Sequence, residues 1–91
     1  GGHAASPHEA IDPIAIAGSL LNIYQRIVTR EIDPLEPAVI TVASINAGTT
    51  FNVIPGRIEM KGTIRTFNKD VRDYIVKRME EITIKYSDAL R

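Results

Sequence analysis

The segment 57–67 alternates strictly between two kinds of side chain, and this pattern restricts the fold more than any other feature of the chain. The apolar or small residues of the segment are Ile58, Met60, Gly62, Ile64 and Thr66. The residues between them are Arg57, Glu59, Lys61, Thr63 and Arg65. Successive side chains of a strand point to opposite faces. The segment therefore predicts an antiparallel sheet with one covered face and one polar face.

Two helices flank the predicted strands. Asp12-Pro13 begins the first helix, because the Asp12 carboxylate can accept backbone N–H bonds and Pro13 has no N–H to lose there. Apolar residues at helical spacing continue to Arg30. The β-branched run 38–45 predicts a strand, and Asn68 can cap the second helix. The apolar stripe predicted to be buried on that helix is Val71, Tyr74, Ile75, Met79, Ile82 and Tyr86.

The order of these elements predicts the fold class. Loop, helix, strand, strand and helix form the middle of a β-α-β-β-α-β ferredoxin-like unit. We therefore expect an α+β two-layer sandwich, in which an antiparallel sheet carries two helices on one face. We expect residues 1–91 to lack the first and last strands of that unit.

Two isoleucines of the first helix, Ile16 and Ile23, fall off its main apolar stripe. That stripe consists of Ile14, Ala17, Leu20, Leu21, Tyr24, Ile27 and Val28. One stripe is enough to pack on a sheet, so a second apolar surface points to another subunit. The alternative is a single wide stripe that faces the core, and the residues alone favour neither.

Composition excludes several functional classes. A chain of 91 residues forms one small domain. Its 11 basic and 11 acidic residues cancel and are interleaved, so we expect no nucleic-acid partner. The absence of cysteine excludes disulfides, a thiolate zinc site and a cysteine nucleophile, and it favours a cytoplasmic location. No apolar run approaches the roughly 20 residues that span a bilayer, so no membrane partner is expected.

Histidines are too few for a metal site of the hydrolytic kind. His3 and His8 are the only two, whereas a catalytic zinc takes about three protein ligands and a water. Glu9 and Asp12 would have to complete the ligand set from the same loop. We therefore expect no metal ion bound by this chain.

Three polar residues at the junctions of the predicted elements are candidates for chemistry. His3 lies in a glycine-rich loop, Asn52 lies where the chain enters a strand, and Arg65 lies on the polar face of a strand. Composition alone favours simpler roles for them, namely an exposed histidine, a turn-shaping asparagine and a solvated arginine.

Five motifs occur in a fixed order within residues 1–67. They are Gly-Gly-His-Ala-Ala-x-Pro-His, Asp-Pro-Ile, Asp-Pro-Leu-Glu-Pro, Phe-Asn-Val-Ile-Pro and Gly-Thr-Ile-Arg-Thr-Phe. This series closely resembles the dimerisation (lid) domain of the zinc-dependent aminoacylase and carboxypeptidase family. The hippurate hydrolase and indole-acetyl-amino-acid hydrolase branch is the most similar part of that family.

The resemblance implies an architecture and partners. It implies that residues 1–91 are one dimerisation domain, a fragment of a larger hydrolase of N-acyl amino acids or peptides. Two zinc ions and the catalytic glutamate would belong to a separate catalytic domain, so the fragment alone would be inactive. Two copies would form a homodimer through an edge strand and the first helix, which would place Ile16 and Ile23 at the interface.

The resemblance also implies roles for the three candidates. His3 would reach the active site of the partner and stabilise the oxyanion of the tetrahedral intermediate. Asn52 and Arg65 would bind the substrate carboxylate or shape its pocket. The resemblance implies no catalytic role for His8.

Two other interpretations stay open. The chain could be a ferredoxin-like regulatory module in which Asn52 and Arg65 hold a small ligand, such as an amino acid, without catalysis. It could also be a purely structural dimerisation element. The sequence leaves open the acyl group or amino acid accepted, and peptidase against deacylase activity.

Overall fold

A computed structural model describes residues 1–90 of the chain. A short 3-10 turn at Pro7–Glu9 precedes the first helix, and a π-helical turn at Ile27–Glu31 follows it. The remaining elements, in chain order, are β1 (Gly2–His3), α1 (Pro13–Arg26), β2 (Ala38–Ala47), β3 (Val53–Ile54), β4 (Ile58–Thr66) and α2 (Lys69–Ala89).

The antiparallel pair β2–β4 carries both helices on one face. Its Ile40 is buried in one cluster with residues from both helices and from the π-helical turn. The other buried members are Leu20, Tyr24, Ile27, Ile75 and Ile82. The side chains of β4 alternate between half-buried and exposed positions from Ile58 to Thr66, apart from the exposed Gly62. The predicted α+β two-layer architecture, with one covered and one polar face, is confirmed.

Both predicted helix caps are present. The Asp12 carboxylate accepts hydrogen bonds from the backbone N–H groups of Ile14 and Ala15, at 3.0 and 3.3 Å. The Asn68 side chain accepts from Asp70 and Val71, at 2.8 and 3.2 Å. These bonds satisfy N–H groups that the first turn of a helix leaves without partners.

The first helix ends differently from the prediction. The α-helical bonding stops at Arg26, and the wider π-helical turn continues to Glu31. The Ile32 backbone N–H donates to the Ile27 carbonyl at 3.1 Å, which is the i→i+5 bond of a π-turn. The fully buried Ile27 side chain anchors this turn in the core.

The helices bury narrower stripes than predicted. Ile75 and Ile82 of α2 are buried, but Tyr74 and Tyr86 are exposed, as is Ile14 of α1. Two strands about 4.8 Å apart form a sheet that is narrower than two helices packed 8–10 Å apart. The sheet therefore covers only part of the surface of each helix. Ile16 and Ile23 are half-buried and pack against the core cluster. This contact agrees with a wide core-facing stripe, and their place in a dimer interface stays a prediction.

A β-bulge in β2 shifts its pairing with β4 by one residue. Val42 lies opposite Gly62, but Ser44 lies opposite Lys61, so Ala43 has no partner in the register. Residues opposite each other in an antiparallel pair share a face. The bulge therefore brings Ile45 opposite Met60, whereas unbroken alternation along β2 would have placed it on the other face.

Glu31 of the π-helical turn links the turn to α2. Tyr74 Oη donates to Glu31 Oε1 at 2.6 Å, and Arg78 Nε donates to the same oxygen at 2.7 Å. The hydrogen bonds from Arg78 and Tyr74 favour the charged carboxylate and hold the pKa of Glu31 below its ordinary value of 4.5.

Replacing Glu31 by glutamine is expected to lower the thermal unfolding midpoint at neutral pH and to have a smaller effect at about pH 3. Because the folded-state pKa is depressed, the ionised carboxylate stabilises the fold above pH 4.5, and this contribution disappears as pH falls through the folded-state pKa. Circular dichroism melts at both pH values test this. Glu80→Gln, at an exposed position of α2, is the control. An equal effect of Glu31→Gln at both pH values would contradict the prediction.

Candidate functional site

The short pair β1–β3 brings His3 and Asn52 together. Gly2 lies opposite Ile54 and His3 lies opposite Val53 in an antiparallel register. Just beyond the pair, the Ala4 backbone N–H donates to the Asn52 carbonyl at 3.1 Å. The sequence did not predict this pairing, which places the two candidates at adjacent positions on neighbouring segments.

The two glycines before His3 allow this close approach. A Cβ atom on Gly1 would lie 2.7 Å from the Ile54 carbonyl oxygen, and one on Gly2 would lie 2.9 Å from the Ala10 Cβ. Real Cβ atoms do not approach other atoms so closely. The Gly-Gly pair was thus a sequence signal that another segment packs here.

The His3 side chain is exposed and held by its own loop. The Ala5 backbone N–H donates to His3 Nδ1 at 3.2 Å. A nitrogen that accepts a hydrogen bond carries no proton, so the neutral imidazole has its proton on Nε2. His3 therefore presents an Nε2–H donor on the other side of the ring from its loop.

The Asn52 side chain is oriented in a similar way. The Thr50 hydroxyl donates to Asn52 Oδ1 at 3.1 Å. This bond occupies the acceptor of the carboxamide and leaves its Nδ2 group as a donor. His3 and Asn52 thus lie at one end of the molecule, and each side chain offers an N–H donor. Because His3 is opposite Val53, its side chain and that of Asn52 leave the pair on opposite faces.

Arg65 lies at the other end of the β2–β4 pair. It is opposite Val39, near the start of β2, whereas Ile58 at the opposite end of β4 follows β3 by four residues. Seven residues of extended strand from Ile58 to Arg65 span about 23 Å. Within one chain, the structure therefore brings His3 and Asn52 together and does not bring Arg65 to them.

Arg65 borders an open hollow of about 650 Å³ together with Phe67 and Arg72. Phe67 is almost fully exposed, and Arg72 lies in the first turns of α2. Sequence reasoning missed Arg72, although α2 begins directly after β4 and so had to bring its first residues near Arg65. The two guanidinium groups make this end of the molecule suited to anionic groups.

A metal site is not formed within residues 1–90. No group of three His, Asp or Glu side chains lies close enough in this part of the chain to hold an ion. His8 lies 3.4 Å from Glu9, and both are exposed. Two such ligands do not fit a zinc ion that needs about three protein ligands.

No helix in residues 1–90 has the length and apolar character needed to cross a membrane.

Comparisons with known proteins agree on one family. The family model of the peptidase dimerisation domain matches residues 1–88. An N-acyl-L-amino acid amidohydrolase of Geobacillus stearothermophilus is 45% identical over 89 residues, which cover 98% of this chain and 24% of that protein. Thermostable carboxypeptidase 2 of Saccharolobus solfataricus is 44% identical over 82 residues, covering 90% of this chain and 21% of that protein.

A solved structure supports the same assignment. A protein of methicillin-resistant Staphylococcus aureus, described as an aminohydrolase, superposes with a TM-score of 0.91 at 29% identity. The match covers 98% of this chain and 23% of that one. The chain thus spans about a quarter of the length of the curated relatives that it matches. Matched over almost all of its residues, the chain belongs to the peptidase dimerisation domain family.

Proposed function

We propose that this chain is the dimerisation domain of a zinc-dependent hydrolase of N-acyl amino acids or peptides. The names of its relatives, an amidohydrolase and a carboxypeptidase, support this substrate class. Zinc and the catalytic glutamate would belong to a catalytic domain outside these residues, because residues 1–90 offer no cluster that fits the metal. A cytoplasmic location is part of the same proposal.

His3 would act as a donor at the reacting carbonyl, and Asn52 would help to bind the substrate or shape its pocket. An N–H donor placed where negative charge develops lowers the barrier, and removal of one such donor costs about 2.7–4 kcal/mol in known acyl-transfer sites. The Ala5 bond to Nδ1 keeps His3 in the tautomer that donates from Nε2. Arg65 would bind the substrate carboxylate through its planar fork of N–H donors.

The separation of Arg65 from His3 is the observation that carries this proposal. The His3 imidazole and the Arg65 guanidinium lie toward opposite ends of β4, about 23 Å of strand apart. An N-acyl amino acid is far shorter than this strand. Both groups can therefore serve one substrate only when they come from two copies, His3 from one protomer and Arg65 from its partner.

The surface of β2 supports association with a second copy. Among the described residues β2 pairs with β4 alone, so its other edge has no neighbouring strand. The Gln25 side chain covers one carbonyl of β2 by donating from Nε2 to the Ile40 oxygen at 2.9 Å. The exposed Ile45 lies beyond this point on β2. In the proposed homodimer the remaining edge of β2 and helix α1, with Ile16 and Ile23, face the second copy.

A heterodimer of two inactive variants tests the exchange of residues between protomers. His3→Ala and Arg65→Ala are each expected to inactivate the full-length homodimer. A heterodimer of the two, purified through two different tags, contains one site without substitutions and one with both. It should therefore recover about half of the wild-type activity per dimer.

A differently tagged pair of His3→Ala chains is the control and should stay inactive. An inactive heterodimer of His3→Ala with Arg65→Ala would contradict the exchange, because both residues would then act in the same site from one chain. If the wild-type protein hydrolyses no N-acyl amino acid or dipeptide, the interpretation as a small-ligand regulatory module is favoured instead.

A further inference from the structure

One side chain of α1, that of Gln25, is bound to the backbone of β2. Its Nε2 group donates to the Ile40 carbonyl oxygen at 2.9 Å. Gln25 is an exposed residue, and a glutamine free to turn toward water loses rotamer freedom when it holds one geometry. The bond lies where β2 has no second neighbouring strand among the described residues. It therefore acts on the part of β2 that is open to a partner.

The geometry at Gly62 shows which way the Ile40 carbonyl points. A Cβ atom on Gly62 would clash with the Thr41 carbonyl oxygen, so that oxygen lies on the β4 side of β2. Residues of an antiparallel pair alternate between exchanging both backbone hydrogen bonds with the partner strand and exchanging none. Ile40, next to Thr41, therefore turns its carbonyl away from β4, toward the free edge. Gln25 thus occupies an acceptor that a further strand would use.

This cap leaves the second half of β2 for a partner strand. The strand spans Ala38–Ala47, and the stretch 42–47 beyond the cap contains the exposed Ile45. The chain belongs to a dimerisation domain family, so the partner that fits this edge is a second copy. A bare strand edge offers the same backbone groups at every second residue, and nothing in it favours one register over the next. The Gln25 cap supplies that distinction.

We propose that Gln25 is a positioning residue for the active site, because its bond to Ile40 fixes the register in which two copies pair. A slip by two residues keeps each side chain on its face, but it moves one protomer about 7 Å along the other. His3 of one protomer would then miss the substrate held by Arg65 of its partner, since reacting groups must lie about 3–3.5 Å apart. This inference rests on the function proposed above and adds the residue that aligns its two halves.

Gln25→Met in the full-length enzyme tests this role, because it keeps the side-chain length and removes the donor. We expect the dimer mass to persist and kcat to fall by about tenfold, the scale on which one hydrogen bond shifts an equilibrium between two registers. KM should stay unchanged, because sites in the native register are unaltered.

Spin labels report the register directly. Leu35→Cys, introduced without other cysteines, places a label at a position exposed by 88% just before β2. The distance between the labels of the two protomers should have one value in the wild type and gain a second value in Gln25→Met. Gln25→Lys keeps an N–H donor on a side chain of similar length, so it should preserve both kcat and the single distance.

Lys77→Met is the matched control, at an exposed position of α2, and should change neither measurement. The role of Gln25 is overturned if Gln25→Met keeps the wild-type kcat and a single distance, or if kcat falls while the distance stays single. It is also overturned if Gln25→Met separates the protomers, because the residue would then act in association rather than in register. A wild type that hydrolyses no N-acyl amino acid would instead overturn the proposed function, and the distances would still decide the register.

Discussion

Replacing His3 by alanine in the full-length enzyme is expected to lower kcat by about 10²–10³-fold, the effect of removing one oxyanion donor. KM should change little, because the hydrogen bond from Nε2 strengthens only when charge develops on the carbonyl oxygen. The exposed His3 side chain makes its one hydrogen bond to its own loop, so the substitution should leave the fold intact. Steady-state kinetics, together with zinc content and dimer mass, measure the effect.

His8→Ala is the control for this substitution. His8 is exposed, like His3, and lies in the same N-terminal stretch, where its Nε2 is 3.4 Å from a Glu9 carboxylate oxygen. Its replacement should leave kcat and KM unchanged. Normal turnover of the His3→Ala enzyme would show that His3 has no catalytic role. Loss of zinc or of the dimer in this variant would show that His3 maintains the structure rather than taking part in the reaction.

Replacing Gly62 by alanine is expected to produce the largest loss of stability. The added Cβ would lie 2.1 Å from the Thr41 carbonyl oxygen and 3.0 Å from the Val42 Cα. Both are backbone atoms of the bulged strand β2, so no side-chain rotation can relieve the contact. Strain of this kind costs about 1–3 kcal/mol or more. For a domain of this size, each kcal/mol corresponds to a fall in Tm of about 4–8 °C.

Gly18→Ala is the matched control, because an added Cβ there meets no atom within 4 Å. Gly18 lies inside helix α1, where alanine is preferred over glycine by up to about 1 kcal/mol, so this change should raise Tm. Thermal unfolding of the two variants should therefore shift in opposite directions. A Gly62→Ala protein as stable as the wild type would show that the bulge is not where the register places it.

Gly62 also gives a structural reason for the motif Gly-Thr-Ile-Arg. The glycine lets the two strands approach at the bulge, and the residues after it continue β4 as far as Arg65 and Thr66. Arg65 thereby reaches the end of the sheet away from His3. Gly62 thus permits the bulge and also begins the part of β4 that positions Arg65, the proposed carboxylate-binding residue.

The sequence by itself determined the features that depend on near neighbours. Asp12 and Asn68 cap the helices as predicted, because each bonds to N–H groups two and three residues ahead. The alternation along β4 predicted its covered face, since side-chain direction in a strand follows from position alone. The motifs also identified the family, because their order along the chain needs no coordinates.

Only the tertiary structure decided the features that depend on segments far apart in the chain. The pairing of His3 with Val53 joins residues separated by more than half of the chain, and no local pattern specifies such a partner. The bulge at Ala43 depends on which residue of β4 lies opposite, so the β-branched run 38–45 predicted the strand but not the shift in register. The separation of Arg65 from His3 follows from strand direction and register, and these are set when the whole sheet packs against the helices.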